Sequence, residues 1–191
     1  MRQIILASTS PRRKEILAKT KLPFIVAPSN YEEDMTLKFS PIELAKYLSA
    51  GKARSLINDY KDAIIIGADT FVVFQNKLLG KPKNEQEARE MLQMLKGKEN
   101  DLITGVTIID TLNNKEKSFH EISKIFMKDI PDEIITAYIK TGEPLQMAGA
   151  YSIQEIGAIF IDRIEGDFFN AMGLPLARLA EELKDFGVSV L

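Results

Sequence analysis

The segment Ile4-Ile5-Leu6-Ala7-Ser8-Thr9-Ser10-Pro11-Arg12-Arg13-Lys14 decides the fold class of this chain. Its apolar beginning is typical of a buried strand. Ser10 followed by Pro11 predicts the start of a helix, because a Ser oxygen accepts from early backbone N–H groups and Pro has no N–H to leave unpaired. A strand, a short turn and a helix in this order indicate an α/β protein.

The charge of this helix start is unusual. The N-terminal end of a helix carries partial positive charge and favours Asp or Glu, yet the first turn here holds Arg12, Arg13 and Lys14. Free N–H groups, hydroxyls and Arg side chains at such a position bind phosphate oxygens well. The pattern indicates a phosphate site, and the open alternative is a solvated basic turn that costs a few tenths of a kcal/mol.

Outward from this segment, strand-like and helical patterns alternate along the chain. The predicted strands are 3–7, 24–27, 63–66, 71–74, 102–110, 115–127 and 158–164. The predicted helices are 11–20, 41–57, 85–95, 131–140 and 175–186. Asn113-Asn114 between two β-like runs indicates a hairpin, so the sheet is expected to be mixed.

Composition excludes several classes of protein. The 191 residues are 45% hydrophobic and 27% charged, with a net charge of −2, which predicts a soluble globular chain without an extended nucleic-acid or membrane surface. There is no cysteine and one histidine, His120, so thiol chemistry is excluded and a Ser-His-Asp triad is disfavoured. No run approaches the length of a membrane span and no signal peptide is visible, which makes the cytoplasm the expected location.

Asp69 lies within some of the most hydrophobic sequence of the chain, between the apolar runs 63–68 and 71–74. A buried carboxylate needs a partner or a function. Two interpretations stay open at this point: Asp69 is a catalytic carboxylate, or residues 67–70 form a turn between two strands, with Asp69 bonded to its own turn.

Three further polar features are ambiguous when taken singly. Lys52 falls in the apolar stripe of the helix over 41–57, where it either extends to solvent or binds a phosphate. Gly80-Lys81-Pro82 places a lysine beside a tight turn, and Glu32-Glu33-Asp34 offers hard oxygen ligands for Mg²⁺ or is a solvated acidic loop. No Walker or G-x-G-x-x-G motif is present, so the common kinase, GTPase and dinucleotide sites are excluded.

Together these motifs resemble the Maf family of nucleoside triphosphate pyrophosphatases over nearly the whole chain. The resemblance rests on seven segments in the order of the family: 7–13, 51–53, 67–70, 80–82, 104–106, 148–154 and 166–175. It implies a single Maf-like domain over residues 1–191, with a mixed, twisted sheet, flanking helices and two lobes around a cleft, similar to inosine triphosphate pyrophosphatases. It also implies a divalent metal, Mg²⁺ or Mn²⁺, and a possible homodimer.

The resemblance further implies the reaction and the substrate. Arg12, Thr70 and Gln154 occupy the positions that distinguish the branch of the family acting on dTTP and UTP. The expected reaction is hydrolysis between the α and β phosphates, which gives a nucleoside monophosphate and pyrophosphate and limits unwanted or modified nucleotides. Nucleic acids and membranes are not expected partners.

The residues implied for the site fall into three groups. The phosphates are expected to contact Ser8, Arg12, Arg13, Lys52 and Lys81. Asp69 is expected to be the proton acceptor and to hold the metal together with Glu33, so Asp69, Glu33, Lys52 and Lys81 are the expected catalytic residues. Thr70 and Gln154 are expected to read the pyrimidine, because an amide offers both a donor and an acceptor.

The chain departs from the family pattern at Asn84, Asn100 and Glu155, where Asp, His and Gly are common. Asn84 can still cap a helix, whereas Glu155 adds a charge beside Gln154. Two alternative functions stay open: a pyrophosphatase for modified or purine triphosphates, and a nucleotide-binding regulator of cell division that acts through a partner.

Overall fold

A computed structural model describes residues 2–34 and 37–191. The strands are β1 (Gln3–Ala7), β2 (Phe24–Ala27), β3 (Ala63–Phe74), β4 (Lys77–Leu79), β5 (Glu99–Asp110), β6 (Lys115–Met127) and β7 (Ile161–Glu165). The helices are α1 (Pro11–Ala18), α2 (Pro41–Arg54), α3 (Glu85–Leu95), α4 (Asp132–Ile139), α5 (Phe168–Ala171) and α6 (Leu176–Lys184). Short 3₁₀ turns occupy Glu143–Gln146, Ala148–Ala150 and Ile156–Phe160.

Within the described residues, seven strands form one mixed sheet in the order β2-β1-β3-β5-β6-β7, and β4 pairs with β3. β1 runs parallel to β2 and β3, whereas β5, β6 and β7 continue as antiparallel neighbours. The predicted hairpin at Asn113-Asn114 joins β5 to β6, with Asn114 at a φ of 53°. The predicted mixed α/β class is confirmed.

Local capping chemistry sets the starts of α1, α2 and α3, which begin at the predicted residues. The side chain of Ser10 accepts from the amide of Arg13 at the start of α1, and Asn84 accepts from the amide of Glu87 at the start of α3. Ser40 forms a reciprocal capping box with Glu43 at the start of α2.

The prediction of two strands, 63–66 and 71–74, separated by a turn is wrong. Residues 63–74 form one continuous strand, because β5 pairs with it without interruption from Ile64 to Val73. The turn interpretation of residues 67–70 is therefore excluded, and Asp69 lies in the middle of a buried strand. The predicted start of a strand at Ala158 is also wrong, since β7 begins at Ile161 after a 3₁₀ turn.

Two hydrophobic clusters lie along one face of the long strands, and each forms the core of one lobe. Ile64 and Ile66 of β3 pack with α1 and α6, whereas Val72 and Phe74, further along the same face, pack with α3 and α4. Thr70 lies between the two groups on β3 and bonds Thr104 of β5 at 3.0 Å. α2 covers the opposite face of the sheet.

A cleft opens between these clusters and is lined by members of both, among them Val72, Leu102 and Tyr151 from one and Met172 from the other. No helix in the described part of the chain is both long and apolar enough to cross a bilayer.

Candidate active site

Among the described residues, β3 has no partner strand on one edge over residues 68–71. In the part of the chain that the structure describes, β1 pairs with β3 as far as Gly67, and β4 pairs with it from Val72. β5 occupies the other edge throughout. Because successive side chains of a strand alternate, Asp69 and Thr70 point to opposite faces of the sheet beside this notch.

Asp69 forms the centre of a three-residue charge cluster on the α2 face. Lys52 Nζ contacts Asp69 Oδ1 and lies 2.8 Å from Glu33 Oε1. The Asp69 side chain is 9% exposed and that of Lys52 13%, whereas Glu33 is 43% exposed. The lysine that the sequence places in an apolar stripe therefore joins two carboxylates instead of extending to solvent.

Gly67 brings α2 close enough for this contact. A Cβ on Gly67 would lie 2.9 Å from the backbone nitrogen of Ala53 and 3.0 Å from its Cβ, so a larger residue would push the helix away from the strand. The close approach places Lys52, one residue before Ala53, over Asp69.

Burial raises the pKa of Asp69 above its ordinary value, and the positive charges of Lys52 and Arg13 offset this effect in part. The second carboxylate oxygen, Oδ2, is buried and has no hydrogen-bond partner among the described residues. A buried oxygen with an unused lone pair is costly unless a ligand or water completes it. Asp69 is therefore suited to accept a proton or to bind a cation.

Arg13 connects the two faces of the sheet. Its Nη2 donates to Thr70 Oγ1 at 3.0 Å, its Nε donates to the carbonyl oxygen of Gly173 at 2.9 Å, and its Nη1 donates to Ser8 Oγ at 3.4 Å. Burial lowers the pKa of Arg13 and the charge of Asp69 opposes that shift. The guanidinium predicted to bind phosphate is thus held at the notch by three groups.

Two cavities meet at this notch and share Ser10 and Arg13. Counted with the solvent space at its mouth, the larger is an open cleft of about 750 Å³ on the Thr70 face, and the smaller, of about 600 Å³, lies on the Asp69 face. The larger is lined by Arg12, Thr70 and Lys81 among others. The smaller is lined by hydroxyl-bearing and charged side chains: Ser8, Thr9, Ser29, Tyr31, Glu33 and Lys52.

The structure thus brings seven of the nine predicted site residues into the walls of two connected cavities. Asp69 lines neither cavity, but it contacts Lys52, which lines the smaller one. Gln154 also lines neither cavity. Its Nε2 lies 3.7 Å from the sulfur of Met172, and Met172 itself lines the larger cleft. Arg12 makes a similar contact, with its Nη2 3.7 Å from the sulfur of Met147.

The three departures from the family pattern have distinct places. Asn84 caps α3. Asn100 is buried and its Oδ1 accepts from the hydroxyl of Tyr151 at 2.8 Å, which fixes a ring on the wall of the larger cleft. Glu155 is exposed, and its amide donates to Ser152 Oγ at 3.3 Å.

Sequence reasoning gave no role to several residues that build the site. The carbonyl of Gly173 orients Arg13, and Tyr151 and Met147 line the cleft. All three lie in or beside motifs that carry the family resemblance. The sequence therefore marks these segments as part of the family pattern but does not indicate what each residue contacts. A main-chain carbonyl in particular leaves no signal in residue type.

The acidic groups of the site are few. Residues 2–34 and 37–191 contain no cluster of three or more His, Asp or Glu side chains arranged to hold a metal ion. Glu33 and Asp69 converge on Lys52 as a pair. Such a pair can serve Mg²⁺, which usually takes one or two protein carboxylates and completes its shell with water and phosphate oxygens.

Comparison with solved structures gives a likeness in fold. The chain superimposes on a HAM1 protein from Coxiella burnetii with a TM-score of 0.52 and 15% sequence identity, covering 97% of this chain and 100% of that one. At this identity the likeness concerns the fold alone.

Comparison with curated sequences gives much closer relatives. The chain is 48% identical over its whole length to a Methanosarcina mazei protein named dTTP/UTP pyrophosphatase, of which it covers 97%. It is 46% identical to a Lachnoclostridium phytofermentans protein of the same name, of which it covers 98%. The profile of the Maf-like protein family matches residues 3–186. This chain is therefore a member of the Maf family.

Proposed function

We propose that this enzyme hydrolyses dTTP and UTP to the nucleoside monophosphate and pyrophosphate. The relatives of that name match the chain from end to end. The observation that carries the proposal is the carboxylate of Asp69, buried with one unpartnered oxygen beside two cavities that share Arg13. Cations such as Arg13 can bind a polyanionic substrate, and the carboxylate of Asp69 can take a proton from the attacking water.

The basic side chains and the α1 terminus are suited to bind the triphosphate. Arg12, Arg13 and Lys81 line the larger cleft, and Ser8 and Lys52 line the smaller cavity. A polyphosphate that crosses the notch would contact both groups. Catalysis of phosphoryl transfer depends mostly on such positioning and on stabilising the charge that develops on the leaving oxygens.

Asp69 is the proposed proton acceptor. It takes a proton from a water molecule, whose oxygen attacks one of the two phosphorus atoms joined by the α–β bridge. The bond from that phosphorus to the bridging oxygen breaks, and the monophosphate and pyrophosphate separate. A raised pKa makes Asp69 a stronger base than an ordinary carboxylate, and the positive charges of Lys52 and Arg13 favour its ionised form.

Glu33 and Asp69 are the residues that would hold a divalent metal. The fit rests on the unpartnered Asp69 Oδ2 and on the proximity of both carboxylates to one lysine. A bound Mg²⁺ or Mn²⁺ would lower the pKa of a water ligand and neutralise charge on the phosphates.

Thr70 and Gln154 are the proposed readers of the pyrimidine. Thr70 Oγ1 lies in the cleft wall. The amide of Gln154 has a thioether sulfur as its partner, and sulfur is a weak acceptor that a uracil or thymine edge can replace.

The test is pyrophosphate release from a panel of triphosphates with Mg²⁺, with and without a chelator. We expect turnover of dTTP and UTP at least about tenfold above that of dCTP, ATP and GTP, equivalent to about 1.4 kcal/mol. Preference for a modified or purine triphosphate would contradict the substrate assignment. Nucleotide binding without any turnover would contradict the enzyme assignment and favour a regulatory role.

A further inference from the structure

The segment that carries Glu33 lies along α2 and touches it at three points. Ser29 Oγ is 3.2 Å from Ser55 Oγ, the ring of Tyr31 covers Gly51, and Glu33 Oε1 is 2.8 Å from Lys52 Nζ. Residues 29, 31 and 33 are spaced by two, so alternate side chains of this stretch meet the helix.

The middle contact requires glycine. A Cβ on Gly51 would lie 2.5 Å from Cε2 and 2.6 Å from Cε1 of Tyr31. These distances are far inside van der Waals contact, so the ring rests directly on the helix backbone. Glycine in a helix interior costs roughly 0.5–1 kcal/mol relative to Ala. Since Gly51 has helical geometry and no positive φ, its value at this position lies in the space it leaves for the ring.

The contact of Glu33 with Lys52 needs such support. Glu33 is 43% exposed, and ion pairs of exposed side chains contribute only about 0–1 kcal/mol. The Tyr31 ring packs directly on the helix at Gly51, and the dispersion contacts of an aromatic ring add up over many atoms. This contact therefore restrains the segment more firmly than the exposed ion pair does. Tyr31 is anchored further by its amide, which donates to Ser29 Oγ at 3.2 Å.

We propose that Tyr31, seated on Gly51, is a positioning residue that holds Glu33 against Lys52 and Asp69. The catalytic meaning of this contact rests on the proposed function, in which Glu33 holds the metal. The contact itself concerns geometry and can be tested without any substrate.

The first test is the variant Gly51→Ala, probed with a carbodiimide that joins contacting carboxylates and amines, and read by peptide mass spectrometry. We expect the wild-type chain to give Lys52–Glu33 and Lys52–Asp69 cross-links. In the variant the Lys52–Glu33 cross-link should be largely lost and the Lys52–Asp69 cross-link retained. Glu99 of β5 and Lys124 of β6 lie 2.7 Å apart, and the cross-link between them serves as the internal control.

Because Ala is the better helix former, we expect α2 to persist in the variant, and circular dichroism with thermal melting checks that the fold is retained. Gln93→Ala, on the exposed side of α3, controls for the introduction of an Ala into a helix away from the site and should alter neither cross-link. In a Tyr31→Ala background the ring is absent, so adding Gly51→Ala should cause no further loss of the Lys52–Glu33 link.

The kinetic readout is the Mg²⁺ concentration for half-maximal rate. Loss of a residue that orients a metal ligand typically weakens metal affinity about 10- to 100-fold, and we expect a rise of that size in Gly51→Ala. The KM for the triphosphate at saturating Mg²⁺ should change much less, since Arg12 and Arg13 are untouched.

An undiminished Lys52–Glu33 cross-link in Gly51→Ala would overturn the proposal. A double variant with Tyr31→Ala that loses as much of this cross-link as the two single variants combined would also overturn it. A wild-type chain that shows the expected cross-links but hydrolyses no triphosphate would refute the proposed function and leave the positioning contact intact. A changed cross-link with an unchanged Mg²⁺ requirement would refute the metal role of Glu33.

Discussion

Replacing Asp69 by Asn keeps the size of the side chain and removes its negative charge, so it separates catalysis from packing. A general base contributes about 10²- to 10⁴-fold to a rate. We therefore expect kcat to fall at least about 100-fold, or about 2.7 kcal/mol in the activation barrier. The assay is pyrophosphate release at saturating dTTP and Mg²⁺, with circular dichroism to confirm the fold.

The stability of this variant should change little at neutral pH. Breaking a buried ion pair costs about 3–5 kcal/mol when one charge is left alone. Here Lys52 keeps Glu33 at 2.8 Å, so it is not left without a carboxylate partner. We expect the free energy of unfolding to stay within about 1 kcal/mol of wild type.

The pH dependence gives a signed test. Burial raises the pKa of Asp69 in the folded chain above its ordinary 3.8, so the folded state binds more protons than the unfolded state in that window. Wild-type stability from this group therefore falls as pH rises from 3.8 through the folded pKa. Asp69→Asn lacks this loss and should gain stability relative to wild type over the same rise.

Asp110 is the control of opposite sign. Arg2 donates to both of its oxygens at 2.5 Å, and this ion pair holds the pKa of Asp110 well below its ordinary value. Its contribution is present above pH 3.8 and is lost as pH falls through the folded pKa. Asp110→Asn should cost about 2 kcal/mol at pH 7 and progressively less on acidification.

Urea unfolding of the two variants between pH 3 and pH 8 measures both trends. A loss of less than tenfold in kcat for a folded Asp69→Asn protein would remove Asp69 from the chemistry. Parallel pH profiles for the two variants would refute the assignment of opposite pKa shifts.

Two further substitutions test the phosphate site and the capping of α3. Arg13→Ala removes a guanidinium that lines both cavities. Since a hydrogen bond to a charged group contributes about 1.5–3 kcal/mol, the KM for dTTP should rise at least about tenfold. Unchanged KM and kcat would eliminate Arg13 as a phosphate ligand. Asn84→Ala removes the bond of 2.9 Å to the amide of Glu87 and should destabilise the fold by about 1 kcal/mol in urea unfolding with kcat preserved; an equally stable variant would contradict its capping role.

The prediction of a break in β3 shows where local signals are overridden. Gly67 and the polar pair Asp69-Thr70 are typical turn residues. In the fold, however, Gly67 makes room for α2, and β5 pairs across the whole segment. A glycine that permits a close approach looks the same in sequence as a glycine that permits a turn, so the distinction needs the partner helix.

Features that depend on neighbouring residues alone could be predicted from the sequence. The starts of α1, α2 and α3 follow from Ser10, Ser40 and Asn84, because a cap depends on the residues within one turn of it. The excess of cations at α1 and the burial of Asp69 were likewise visible, since each conflicts with the preference of its own element. These conflicts, together with the order of the motifs, predicted the family, which the comparisons confirm, and the candidate site residues, whose roles stay predictions.

The tertiary structure decided how those residues meet. Lys52, Glu33 and Asp69 come from a helix, a loop and a strand, and their convergence depends on the close packing of α2 on β3. The carbonyl of Gly173 fixes Arg13, and Gln154 contacts Met172, which lines the cleft. The sequence determines which charges are present and which local structures they interrupt, whereas distances between segments far apart in the chain arise only when packing of the core sets them.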